Sequence, residues 1–153
     1  MATLKKIKKI KITSKKSRGK KILAQSENTL PSLPPTLCVM PLGKDTNFHG
    51  DIFGGWLMSQ IDLAGFVVAA KSAKGPVATI AVKELIFKAP IFVGDIVSLY
   101  ATVTKIGEKS VTTNIEVYTE SAESKRPIVK AAHAEIVYVA ISKPGHSRII
   151  PKK

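Results

Sequence analysis

Two carboxylates and a pair of glycines carry most of the chemistry this sequence can offer. Asp51 stands three residues before Gly54-Gly55, and Asp62 follows seven residues after Gly55. Gly54 and Gly55 are placed to open a helix. The N-terminus of a helix exposes unpaired N–H groups and the positive end of the helix dipole, and a glycine pair lets a substrate oxygen approach that backbone closely. Such donors suit the oxyanion of a tetrahedral intermediate, where removing one from a model enzyme costs about 10²–10³ in rate. A carboxylate beside them, Asp51, could activate water as a general base or attack a carbonyl itself. As a purely structural residue it would only complement the helix dipole. Asp62 falls inside an apolar helix, where a bare charge is costly, so it requires a partner, which the backbone or the Ser59 or Thr79 hydroxyls could supply.

Other chemistries lack their residues. The sequence contains no Gly-x-Ser-x-Gly elbow, no phosphate loop ending in Gly-Lys-Ser/Thr and no Gly-x-Gly-x-x-Gly. Its three histidines, His49, His133 and His146, are scattered without zinc spacing, so neither a metal nor another cofactor is expected. His49, two residues before Asp51, could orient that aspartate, contact substrate or simply pack the loop. His133 lies at i+2 from Glu135 on one strand face and is expected to form a structural pair with it. Trp56, in the first helical turn, reads as a core or interface residue. Cys38, the single cysteine, excludes an intrachain disulfide, fits a reducing compartment and is expected to behave as a small buried hydrophobe.

The elements that must position these residues follow from punctuation and periodicity. At 153 residues, 44% hydrophobic and 23% charged, the chain fits one globular domain with no apolar run long enough to span a bilayer. Of the formal net charge of +13, residues 1–28 contribute ten Lys/Arg against one acidic residue. That segment reads as a basic, disordered tail without a signal-peptide core. Beside that reading stand weak adhesion to nucleic acid or anionic lipid and an organelle-targeting segment, for which Leu4, Ile7 and Ile10 could form a short apolar helical stripe; no specific nucleic-acid recognition is expected. Residues 29–35, with Pro31, Pro34 and Pro35, read as a stiff linker, residues 36–145 as the domain and 146–153 as a C-terminal tail. A short strand is expected over 37–42 and a polar loop over 43–53. A helix of about eighteen residues should then run from Gly54-Gly55 to the stop at Gly75-Pro76.

Leu57, Ile61, Ala64 and Val68 form one stripe of that helix, but Leu63, Phe66, Val67, Ala69 and Ala70 make its other side apolar too, so most of its faces should be covered. Strands are expected over 77–87, 94–106, 110–121 and 128–142, the second alternating Val97, Leu99, Ala101, Val103 against Ser98, Tyr100, Thr102, Thr104. Short connections such as Gly107-Glu108-Lys109 favour antiparallel hairpins. The architecture is α+β, a long central helix wrapped by a curved antiparallel sheet. In the last strand both Ile136, Tyr138, Ala140 and Val137, Val139, Ile141 want burial, which points to self-association, expected as a two-fold dimer assembled further into a tetramer or hexamer.

The run from Gly50 to Asp62 (GDIFGGWLMSQID), together with VGD at 93–95 and YVAI at 138–141, resembles the acyl-CoA thioester hydrolases of the hotdog fold, in particular the short bacterial, YciA-like type. The resemblance spans about residues 36–145, with one departure at His49, where asparagine is frequent. It implies a cytoplasmic, homo-oligomeric hydrolase of fatty acid metabolism that releases a carboxylic acid and coenzyme A. It implies Asp51 as base or nucleophile and Gly54 and Gly55 as backbone oxyanion donors. In related hotdog enzymes the base sits at the helical position of Asp62 and works across a dimer interface against the loop of the other subunit. Asn47 and His49 are candidate substrate contacts. Lys105, Lys109, Lys125, Arg126, Lys130 and Arg148 are the cations available for the coenzyme phosphates, of which Lys105, Arg126 and Lys130 are favoured. Alternatives are a hotdog hydratase or dehydratase, for which only His49 could serve, and a non-catalytic module binding acyl-CoA or, through the basic tail, nucleic acid, which would gain nothing from two carboxylates beside a diglycine.

Overall fold

The computed structural model describes residues 29–123 and 125–151, so the expectations for the basic tail, residues 1–28, lie outside the described residues. Strand β1 (Leu37–Val39) leads through a 3-10 turn (Gly43–Asp45) and the polar loop into helix α1 (Gly54–Ala73). Four long strands follow, β2 (Val77–Phe87), β3 (Asp95–Ile106), β4 (Ser110–Ser121) and β5 (Val129–Lys143), then a short β6 (His146–Ser147). The sheet is antiparallel, in the order β1-β3-β4-β5-β2, with β6 added beside β5. Strand bounds match the alternation to within about one residue. The exception is the first, which ends at Val39 instead of running to 42, because Pro41 interrupts pairing and the Asp45 carboxylate draws the Leu42 N–H into a turn (2.8 Å).

The helix packs on one face of the sheet through Leu57, Ile61, Ala64, Ala69 and Ala73. They meet the inward side chains of the strands, among them Val97, Leu99, Val111, Ile115, Val117, Ile136 and Tyr138. The opposite side of the helix stays open: Met58, Leu63, Phe66 and Val67 are exposed, as are Ile80, Val82 and Ile86 on β2, an edge strand of this sheet. On β5, Ile136, Tyr138 and Ala140 are buried and Val137, Val139 and Ile141 only half-buried. Among the described residues no helix is long and apolar enough to cross a membrane.

Three expectations are corrected here. Residues 146–151 are not a loose tail, because Ile150 is buried, its N–H bonds the Glu108 carbonyl (2.8 Å) and Arg148 reaches back to the helix. The Arg148 guanidinium donates to the carbonyls of Ala73 (3.0 Å) and Ile141 (3.1 Å), satisfying an acceptor that the helix end leaves over. Lys74 closes the helix in the left-handed region (φ 52°), and Gly75 follows at φ 152°; a Cβ there would stand 2.6 Å from the Arg148 guanidinium, so glycine is what admits the arginine. Cys38 is exposed on edge strand β1, not buried. His133 pairs with Glu84 on neighbouring β2 (2.8 Å), and Glu135 pairs instead with Lys83 (2.6 Å). Cross-strand neighbours come closer than residues at i+2 along one strand.

Candidate active site

The loop before α1 is built by its own hydrogen bonds. Asn47 N–H donates to the Asp51 carbonyl (2.8 Å), Gly50 N–H to the Asn47 carbonyl (3.1 Å), and the Asn47 side-chain oxygen accepts the His49 N–H (2.8 Å). Gly50, at φ 92°, supplies the left-handed residue this turn requires. With its oxygen so committed, the Asn47 amide group is oriented, and its NH₂ has no acceptor among the described residues. Phe53 N–H is taken by the Asp45 carbonyl (2.8 Å), which fixes the entry to the helix.

Phe53 is the N-cap and has no side chain able to bond the first turn. Trp56 and Leu57 N–H groups return to the Phe53 carbonyl, so the donors left over are those of Gly54 and Gly55, which find no acceptor among the described residues. Asn47, Asp51 and Gly54 line one cleft of about 400 Å³, walled by Ile52, Leu57, Phe87, Pro90 and Ile91, with Lys88 at its edge. The Asp51 carboxylate forms no hydrogen bond among the described residues. His49 is exposed, its ring lying 3.7 Å from that of Phe48, and it does not line the cleft.

Asp62 is elsewhere. Eight residues along α1 from Gly54, it stands about 12 Å further down the axis, at 1.5 Å per residue. It is half-buried, and one oxygen, Oδ1, accepts the Thr79 hydroxyl (2.6 Å) and the Tyr138 hydroxyl (3.2 Å). The same phenol also lies 2.9 Å from the Asp62 backbone carbonyl. Burial, reinforced by the Asp62 charge and the hydrogen bond to it, pushes the Tyr138 phenol above its ordinary pKa of 10, which keeps it a proton donor in these bonds. The second oxygen, Oδ2, has no hydrogen-bond partner among the described residues. The single chain therefore separates the two carboxylates: Asp51 belongs to the helix N-terminus, and Asp62 to a clamp made by β2 and β5.

Of the cations favoured for substrate, two have internal partners. Arg126 pairs with the fully buried Asp95, whose other oxygen accepts the Phe92 N–H (2.9 Å), and its guanidinium lies 4.5 Å over the Phe92 ring. Lys130 bonds Glu116 (2.5 Å). Lys125 pairs with Glu123, and Arg148 serves the helix end. Lys105 is exposed at the far end of β3, and Lys109 in the β3–β4 turn. None of these lines the Asp51 cleft; the cation that does is Lys88, just after β2, whose position emerges only once the end of β2 is folded against the loop. Removing Arg126 leaves Asp95 buried with one donor fewer, and since Arg126 itself is 43% exposed the cost is discounted to about 1–2 kcal/mol. Arg126→Ala should therefore lower the denaturation midpoint while KM for acyl-CoA stays within about twofold; an unchanged midpoint with a raised KM would make Arg126 a substrate contact instead.

A long helix against a curved antiparallel sheet, with a loop cleft at the helix head, is the frame of the hotdog thioesterases. The sequence matches the thioesterase superfamily over residues 49–125. It is 42% identical over 118 residues to the acyl-CoA thioester hydrolase YciA of Escherichia coli, covering 75% of this chain and 89% of that one. The structure superposes with a TM-score of 0.75 on a hexameric thioesterase from Yersinia pestis, 40% identical and covering 81% of this chain and 100% of that one. It superposes with 0.72 on a hexameric hotdog-fold thioesterase of Campylobacter jejuni, 34% identical over 77% and 90% of the two chains. The chain belongs to the thioesterase superfamily, and within it stands with the YciA-like acyl-CoA thioester hydrolases. It is accordingly an enzyme, a thioester hydrolase with the hotdog fold.

Proposed function

We propose that this chain hydrolyses acyl-coenzyme A to a carboxylic acid and free coenzyme A at a site shared between two copies of itself, with Asp62 of one copy as the general base. One observation carries the assignment of the base: Asp62 is a carboxylate that the fold orients, held through Oδ1 by two hydroxyls while Oδ2 has no partner among the described residues. A base must present a lone pair in a fixed direction to the water it deprotonates. The water oxygen bonds to the thioester carbonyl carbon as its proton passes to Asp62. The negative carbonyl oxygen is held by the Gly54 and Gly55 N–H groups of the other copy, helped by the oriented Asn47 amide. Collapse breaks the C–S bond, and the departing thiolate takes up the proton.

Sharing between copies is supported by the 12 Å or so that part Asp62 from its own helix head and by the uncovered apolar surface. Met58, Leu63, Phe66 and Val67 on α1 and Ile80, Val82 and Ile86 on the edge strand β2 are all exposed, apolar side chains of the kind a partner subunit covers. A second copy laid antiparallel against that surface brings one chain's loop toward the other's Asp62. We place further assembly, to the hexamer reported for two relatives, on the half-buried outer face of β5. Lys88 supplies positive charge at the cleft for the coenzyme, with Lys105 a more distant candidate. The enzyme works in the cytoplasm, and the basic segment 1–28 makes no specific contact with nucleic acid, only weak, salt-sensitive contact with anionic surfaces.

A second reading makes Asp51 the base or nucleophile. Asp51 lines the same cleft as Gly54, and there it needs no help from a second chain. For the reaction itself, free thiol should appear on incubation with acyl-CoAs of increasing chain length, at kcat/KM on the order of 10⁴ M⁻¹s⁻¹ or above for the best of them. Absence of thiol release across acetyl to palmitoyl chains would defeat the hydrolase reading.

A further inference from the structure

We infer that Tyr138 is a positioning residue for the base, and that Gly65 exists to admit it. This rests on the reading of Asp62 as the base. Tyr138 lies on β5, fully buried beneath α1, and its hydroxyl meets Asp62 twice, at the backbone carbonyl (2.9 Å) and at Oδ1 (3.2 Å). A tyrosine is too long to fit under an ordinary helix at that point. It fits because the residue above it is Gly65: a Cβ there would overlap the Tyr138 hydroxyl and stand 3.1 Å from both the ring carbon bearing it and the Thr113 hydroxyl.

Glycine in mid-helix costs helix stability, roughly 0.5–1 kcal/mol against alanine. The space it opens is filled by one phenol and used for a polar contact, not for closer apolar packing. A core that needed only to be filled would be served by phenylalanine without a buried hydroxyl to satisfy. The hydroxyl's single proton is shared between the Asp62 carbonyl, the nearer acceptor, and Oδ1, which ties the side chain to its own main chain, while Thr79 donates to the same oxygen from β2. The two donors approach from different strands, so Oδ1 is held from both sides and Oδ2 keeps its direction.

The test compares Tyr138→Phe and Asp62→Asn, singly and together, in the full-length oligomer, by steady-state kinetics on one short acyl-CoA and by thermal melting. Losing a donor to a charged acceptor should lower kcat by about tenfold in Tyr138→Phe. KM should stay within about twofold, because Tyr138 is buried away from the substrate cleft and misplaces only the base. In the Asp62→Asn background the same change should cost nothing further, since no base remains to be aimed. Gly65→Ala should lose at least as much activity as Tyr138→Phe, and adding Tyr138→Phe to it should recover melting temperature but not turnover. Parental kcat in Tyr138→Phe, with Asp62→Asn inactive, would overturn the positioning role and leave the base in place. Equal proportional losses from Tyr138→Phe in both backgrounds would also overturn it, reducing the phenol to a packing element. If Asp62→Asn itself turns over at the parental rate, the assignment of the base and this inference fall together.

Discussion

Asp62→Asn is expected to lower kcat by about 10³-fold, within the range a positioned general base contributes, with KM little changed. The substitution is informative because it removes little else. An asparagine oxygen still accepts from the Thr79 and Tyr138 hydroxyls, so the clamp that now holds Oδ1 survives, and the melting temperature should move by no more than a few degrees. What is lost is the capacity to receive a proton. Asp51→Asn is expected to cost less than about tenfold, because a carboxylate that no group among the described residues orients contributes mainly its charge. That charge stands near the helix head, where the oxyanion forms, so neutralising it relieves a repulsion as well as removing a polar group. The reverse ranking, with Asp51→Asn near-inactive and Asp62→Asn near-parental, would transfer the base to the loop.

Much of this site could be read from the chain because its determinants are local. Gly54-Gly55 and Gly75-Pro76 bracket a helix by backbone chemistry alone, and strict alternation in β3 and β4 locates strands whatever lies beside them. Even the Thr79 contact was open to inference, since a charge inside an apolar helix must find a hydrogen-bonding partner nearby. Contacts between distant segments were not legible in that way. Tyr138 follows the inward alternation of β5 and reads as core; its polar role depends on which helix residue lies above it, and Gly65 in the sequence is only a weak helix former. His133 has Glu135 two residues away, but the strand order sets β2 beside β5 and gives it Glu84. Lys88 is one lysine among many until the end of β2 is folded against the Asp51 loop. Arg148 reads as part of a tail because one of the carbonyls it serves, that of Ala73, ends an element 75 residues earlier.

Gly54→Pro should reduce kcat by about 10²-fold or more without unfolding the chain, and it opens a direct test of whether the site is shared. Proline at the first helical position deletes one N–H and little else, because that N–H has no intrahelical acceptor and the fixed φ suits the start of a helix. The local geometry accepts it: Phe53 is already extended (φ −61°, ψ 128°), as a residue before proline must be, and a Cβ at position 54 would meet Phe87 only at an ordinary 3.7 Å. If the Gly54 N–H holds the oxyanion, removing it costs the 10²–10³ typical of such a donor, with the oligomer intact. Gly54→Pro chains then carry a good base and a damaged oxyanion site, and Asp62→Asn chains the converse. Under a shared site, a dimer of one chain of each kind contains one site with both defects and one with neither. Subunit exchange between the two nearly inactive proteins should thus restore activity, up to about a quarter of the parental rate per chain for random pairing of equal amounts, since half the dimers are mixed and each has one whole site of two. Verified exchange without recovery would place the Gly54 donor and Asp62 in the same chain's site, and the second chain would then serve only to cover the apolar faces of α1 and β2.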